Sequence, residues 1–109
     1  MLHEFKYDNI EFGIAFPPSI SGGGWANDLE KVIKSNIRPD KFERINKNIT
    51  WNYSEIDFNI QKENINFKLE INEYDDISLI LLDKVSDVNK QKLREWAIII
   101  AEEVEKLKK

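Results

Sequence analysis

Residues 49–82 decide the fold, and they read ITWNYSEIDFNIQKENINFKLEINEYDDISLILL. Apolar and polar residues alternate over 49–53, 56–60 and 65–71, and residues 77–82 are almost wholly apolar. Because successive side chains of a strand point to opposite faces of a sheet, each run places an apolar row on one face and a polar row on the other. The stretch therefore predicts an antiparallel sheet with one apolar face, which needs helices to cover it.

Polar segments separate the predicted strands of this stretch. Residues 61–64 and 73–76 have the polar composition of hairpin connections. Between Tyr53 and Ile56 the apolar phase switches, so Ser54-Glu55 is either a turn between two short strands or a bulge in one long strand. We favour the bulge, because a turn would leave two very short strands.

The N-terminal segment predicts a hairpin. Apolar residues alternate over 3–7 and again, in the opposite phase, over 10–16, with Asp8-Asn9 as the turn between them. Gly13 in the second strand indicates a bulge or a close approach by another element. Pro17-Pro18 ends the strand, because proline has no N–H to donate to a sheet.

Two segments have the period of a helix, residues 25–36 and residues 85–109. The first should end by Ile37, because Arg38 precedes Pro39 and is pushed towards extended backbone. Residues 40–43 have the spacing of a capping box, which predicts a short helical turn ending near Asn46. Ser86 or Asp87 can cap the second helix, and Trp96 lies beside its apolar spine. We therefore expect a single α+β domain over 1–109, with an antiparallel sheet of about five strands and two main helices packed on one face.

Composition narrows the function classes. The net charge is −4, which argues against a nucleic-acid partner, since nucleic-acid-binding surfaces are basic. The chain has no cysteine, which excludes disulfides, thiolate nucleophiles and zinc–thiolate sites. The first six residues lack the pattern of a signal peptide, and no apolar run approaches the roughly 20 residues that span a bilayer. We expect a cytoplasmic protein with no membrane partner.

The sequence offers no convincing catalytic, cofactor or metal site. The single histidine, His3, has the pattern of a surface strand position. Residues 22–24 are three glycines before a helix, but they lack the Gly-Lys-Ser/Thr ending of a phosphate loop, so they are a connector, a contact loop or, least of all, an anion site. The acids near residue 75 lack the spacing of a calcium loop. A glycosidase pair of carboxylates would need a deep cleft that a chain of this length leaves little room for.

Two features suggest a binding surface instead. The polar row of the sheet is rich in acids and amides, which suits a basic protein partner and equally suits a solvated sheet. The acids that we predict to contact a partner are Glu55, Asp57, Glu70, Glu73, Asp75 and Asp76. In the last helix, Ile98 points away from the apolar spine, which marks either a contact surface or an ordinary exposed residue.

The whole plan resembles the immunity proteins that bacteria pair with contact-dependent growth-inhibition toxins and other polymorphic toxins. The likeness rests on a short, cysteine-free, acidic chain, rich in Asn, Ile and Lys, with a meander over 49–82 followed by a helix over 87–109. It implies a non-enzymatic cytoplasmic protein that binds and neutralises one cognate toxin, often a nuclease with a basic cleft. The alternative is a structural or adaptor module joined as a homodimer through a sheet edge or the last helix. Between a monomer and a dimer, we expect the monomer.

Overall fold

A six-stranded antiparallel sheet forms one layer of the molecule, and two helices form the other. The computed structural model describes residues 2–7, 9–17, 20, 26–47, 55–72 and 76–107. Its elements in chain order are β1 (His3–Tyr7), β2 (Ile10–Ala15), α1 (Ala26–Val32, continued by a π-helical turn over Ile33–Ile37), β3 (Lys41–Lys47), β4 (Glu55–Lys62), β5 (Ile65–Ile71), β6 (Ile77–Leu81) and α2 (Asp87–Leu107). The α+β class and the N-terminal hairpin are confirmed.

The strand order across the sheet is β1-β2-β6-β5-β4-β3. Strands β3 to β6 form a meander in which each strand pairs with the next along the chain. The N-terminal hairpin joins this meander through β2 and β6, with Ile14 opposite Leu79. The pairing of β2 with β6 therefore makes one sheet from two segments that are far apart in sequence.

One face of the sheet and the inner sides of the helices form the core. The apolar rows predicted for β4 and β5 are buried as expected, with Phe58, Phe67 and Leu69 fully enclosed. From α2, Trp96 stacks on Phe67 with ring centroids 5.0 Å apart and ring planes 19° apart. Ser86 caps α2, because its Oγ accepts the N–H of Asn89 at 3.1 Å. The helices pack on the apolar face, as the sequence predicts.

Residues Lys41–Lys47 form strand β3, so the helical turn predicted over residues 40–46 is wrong. The sheet consequently has six strands where about five were expected. Asp40 has the sequence of a helix cap, but its N–H donates to the carbonyl of Gln61 and its carboxylate accepts the N–H of Glu63. Both contacts start the pairing of β3 with β4 instead of a helix. The side of β3 that faces the helices is mostly polar: Arg44 donates to Asn27 Oδ1 at 2.7 Å and to Glu30 Oε1 at 3.1 Å.

The first helix ends at Ile37, as predicted, but by a different route. Arg38 adopts left-handed backbone (φ 55°, ψ 63°), so the extended conformation predicted for it is wrong. Its N–H donates to the carbonyl of Ile33 at 3.2 Å, which closes the helix end with a left-handed cap. Pro39 then begins the connection to β3.

Gly13 allows a close approach, as the sequence suggested. A Cβ atom at this position would lie 2.7 Å and 2.9 Å from Cε1 and Cε2 of Phe5. The ring of Phe5 thus occupies the space above Gly13 and lies next to Ile80, which pairs with Gly13 across the strands. The register irregularity of the hairpin falls in β1, between Phe5 and Tyr7, and not at Gly13. The Ile49–Tyr53 row, the bulge expected at Ser54-Glu55 and the glycines at 22–24 lie outside the described residues, apart from Glu55 itself, which begins β4.

Candidate functional site

The sheet face opposite the helices is the candidate site, and we call it the outer face. Among the described elements, no helix lies over it. It consists of Phe5 and the strand residues that alternate with the core positions. By strand register, its charged positions are Glu11, Lys41, Glu43, Lys47, Glu55, Asp57, Lys68 and Glu70. Acids outnumber lysines there, so the face has a negative potential.

Strand pairing brings three of the predicted acids to this face. Asp57 on β4 lies directly opposite Glu70 on β5, and Glu55 begins β4 two residues before Asp57. Asp76 is exposed at the entrance to β6, where its N–H donates to Asn72 Oδ1 at 3.0 Å. Glu73 and Asp75 lie outside the described residues. The described part of the predicted site is therefore Glu55, Asp57, Glu70 and Asp76.

A lysine lies between two of these acids. Lys68 Nζ is 3.5 Å from Asp57 Oδ2 and 3.5 Å from Glu70 Oε2. Like charges directly opposite each other on neighbouring strands repel, and Lys68 offsets that repulsion. Asp57 is only 6% exposed, although it points to the outer face. Its carboxylate is therefore nearly closed to direct contact, whereas Glu70 and Asp76 are accessible.

A groove of about 420 Å³ crosses the outer face beside these acids. The side chains on its floor are short, because Ala15 on β2 and Ser78 on β6 are small residues that lie opposite each other. Phe5 and Tyr7 line one side, and Glu70, the neighbour of Ser78 on β5, lines the other. The remaining lining residues are Ile10, Phe16, Asn72, Asp76, Ile77 and Ile80. The groove thus combines a floor of small residues, mostly apolar surroundings and an acidic end.

Sequence reasoning missed this groove for a physical reason. Gly13, Ala15 and Ser78 are the small residues at outward positions, and this is the signal that was available. It becomes informative only once β2 is known to pair with β6, because only that pairing sets Ala15 against Ser78. Such a long-range pairing leaves no mark in the local periodicity of either strand.

The arrangement suits recognition by charge and shape. His3 is an exposed position of β1, as predicted. In the part of the chain that the structure describes, no group of three or more His, Cys, Asp or Glu side chains could hold a metal ion, and no helix is long and apolar enough to cross a membrane. No protein-family model, curated protein or solved structure matches this chain significantly.

Proposed function

We propose that this chain is a non-enzymatic immunity protein, which binds a cognate bacterial toxin through its outer face and neutralises it by occluding the active site. The observation that supports this proposal is a sheet face without a covering helix among the described elements, on which acids outnumber lysines. A nuclease is the toxin class that such a face suits best, because an active site that binds phosphates is basic. We place the action in the cytoplasm, where a nuclease would meet its substrates.

The outer face has a suitable size for this role. Six strands about 4.8 Å apart, each about 20 Å long, give a projected area on the order of 500 Å². The accessible area of a surface covered with side chains exceeds its projection. It therefore approaches the roughly 800 Å² that each partner contributes to a stable protein interface.

The charges of the outer face would act mainly on the rate of association. Opposite potentials steer two proteins together, and salt screens that attraction over about 8 Å at physiological ionic strength. Most of the affinity of an interface comes from a few well-packed side chains. The occlusion mechanism therefore needs both the acidic field and a shaped anchor point.

Growth protection tests the proposal. The product of the gene immediately upstream, where this proposal expects a toxin, is expressed from an inducible promoter, together with the parent chain or with a Glu70→Lys/Asp76→Lys variant. We expect the parent to restore growth and the variant to lose protection. The matched control is Glu95→Lys/Glu102→Lys on the exposed side of α2, which makes the same change in formal net charge, from −4 to 0. Circular dichroism checks that both variants fold.

Two outcomes would contradict the proposal. If the parent gives no protection, or if the neighbouring gene encodes no toxic product, the immunity role is wrong. If both double variants protect equally well, the outer face is not the contact surface. Sedimentation velocity at micromolar concentration separates this role from a homodimeric adaptor, and we expect a monomer.

A further inference from the structure

We infer that the groove over Ala15 and Ser78 is the anchor site for one arginine side chain of the protein partner. This inference rests on the proposed function, because it takes the outer face as the contact surface. It goes further by naming the kind of residue that the partner must present. Arginine is also among the residue types that most often dominate the energy of a protein interface.

The shape of the groove fits a long side chain with an apolar stem. Ala15 and Ser78 are cross-strand neighbours, so two adjacent positions on the floor lack bulk. Phe5 covers Gly13 on one side of the floor, and Ile80, which pairs with Gly13 across the strands, is 3% exposed. The volume of about 420 Å³ is in the range of pockets that enclose a ligand. The methylene groups of an arginine can lie along this floor, as long cationic side chains do on apolar surfaces.

The charge of the groove fits a cation. Among the described residues that line it, Glu70 and Asp76 are acidic and none is basic. Lys68 approaches Glu70 at 3.5 Å and pairs with Ile80 across the strands, but it does not line the groove. A guanidinium entering the groove can donate parallel hydrogen bonds to a carboxylate, which is the geometry that arginine satisfies and lysine does not.

The aromatic side of the groove, formed by Phe5 and Tyr7, favours arginine over lysine for a second reason. The rings of Phe5 and Tyr7 lie 5.6 Å apart at 56°, and Tyr7 is 70% exposed. An exposed aromatic ring beside a groove can hold a planar cation against its face. Guanidinium stacks on such faces and is more weakly hydrated than an ammonium group, so it leaves water more readily.

A titration followed by NMR tests the assignment without any toxin. Isotope-labelled protein is titrated with acetyl-Gly-Arg-Gly-amide, with the lysine peptide and with the citrulline peptide, which keeps the shape of arginine and removes its charge. We expect millimolar binding of the arginine peptide, with shifts centred on Ala15, Ser78 and Glu70. The lysine peptide should bind several-fold more weakly, and the citrulline peptide at least tenfold more weakly.

Variants locate the binding. Ala15→Phe fills the groove and Asp76→Asn removes a charge from its end, so each should weaken the arginine peptide at least threefold. Glu95→Gln on α2 makes the same charge change as Asp76→Asn and should leave binding unchanged. If no shifts appear at millimolar peptide, if citrulline binds equally well, or if the shifts lie away from the groove, the assignment is wrong.

The growth assay separates this inference from the proposed function. If the parent chain gives no protection, the immunity role fails, whatever the peptide does. If the parent protects and Ala15→Phe protects equally well, the arginine anchor is wrong while the immunity role stands. If the parent protects and folded Ala15→Phe loses protection, both are supported.

Discussion

Two backbone positions show how single residues set the local structure. Gly13 has no Cβ, and the space where one would lie is occupied by the ring of Phe5. Arg38 has a full side chain in left-handed backbone, a conformation that costs an L-residue roughly 1–2 kcal/mol. Position 13 therefore suits glycine, whereas the left-handed backbone of position 38 would suit glycine better than the arginine that is present. Substitution should therefore have opposite effects on stability at these two positions.

We expect Gly13→Ala to lower the free energy of unfolding by about 1 kcal/mol, at the low end of the cost of overpacking. The ring of Phe5 is half-buried and can rotate away, but it would then uncover Ile80. The test is a double-mutant cycle measured by urea unfolding. In a Phe5→Ala background the clash is absent, so Gly13→Ala should be neutral or stabilising, because alanine suits a strand better than glycine. Equal effects in both backgrounds would contradict the contact.

We expect Arg38→Gly to raise the free energy of unfolding by about 0.5–1 kcal/mol, because glycine adopts left-handed backbone freely and is preferred at this helix position. The carbonyl of Arg38, which accepts a hydrogen bond from Lys62 Nζ at 3.0 Å, remains in the variant. Arg38→Ala is the matched control: it removes the same side chain and keeps the backbone cost. A gain in the alanine variant as large as in the glycine variant would show that the side chain, and not the backbone, is responsible.

At the scale of elements, α2 and the sheet hold the core together. Trp96 is 5% exposed and stacks on Phe67 in the middle of β5, while Leu93, Ala97 and Ile100 are fully buried beside it. Ile98 belongs to the same turn of α2 but is 48% exposed, as its position off the apolar spine predicts. The two faces of this helix should therefore respond very differently to truncation.

We expect Trp96→Ala to cost about 3–5 kcal/mol, because it removes a large ring from a packed core and leaves a cavity. Ile98→Ala, a truncation on the exposed face of the same helix, should change stability by less than about 0.5 kcal/mol. Chemical unfolding of both variants measures the difference. A cost above about 2 kcal/mol at Ile98 would mean that this side chain is covered in solution.

The alternation of apolar and polar residues predicts a strand whose two faces differ in polarity. It fails for a strand whose two faces are alike. Ile56, Phe58 and Ile60 alternate with polar residues, so β4 is evident from the sequence. In β3 the helix-facing positions include Arg44 and Asn46, and the apolar Ile45 points outward. The polar side chains of α1 that bind Arg44 make this pattern favourable, and such a contact between distant residues cannot be seen in the sequence. The acids of the outer face were predictable for the same reason as β4, whereas the groove beside them depends on the pairing of β2 with β6.

At the scale of the whole molecule, a carboxylate–arginine pair ties each edge strand to the helix layer. Glu4 on β1 binds Arg94 of α2 through two hydrogen bonds of 2.6 Å and 3.0 Å. On the opposite edge, Arg44 of β3 binds Glu30 of α1 at 3.1 Å. Hydrogen bonding by Arg94 lowers the pKa of Glu4 below its usual 4.5. The pKa of Glu30 is lowered mainly by its hydrogen bond from Lys34, with a further contribution from Arg44.

These shifts predict an acid-dependent loss of stability. Because the folded state holds both carboxylates at a lowered pKa, it binds fewer protons than the unfolded state just below pH 4.5, and stability falls as the pH falls through the folded pKa values. Glu4→Gln/Glu30→Gln should therefore be less stable than the parent at about pH 7, and this difference should shrink as the pH falls below 4.5. Urea unfolding over this range measures the difference, with Glu95→Gln/Glu102→Gln as the control. A difference that does not change with pH would exclude the ionised pairs as its cause.

The pairing of β2 with β6 also affects how the chain folds during its synthesis. More than sixty residues separate the two strands, so at roughly 5–20 residues per second β2 leaves the ribosome several seconds before β6 does. During that interval the hairpin of β1 and β2, marginal in water by itself, presents an unpaired strand edge. The arrival of β6 completes the meander and closes that edge in one step. Translation speed between β2 and β6 therefore sets how long the nascent chain is exposed to wrong pairing.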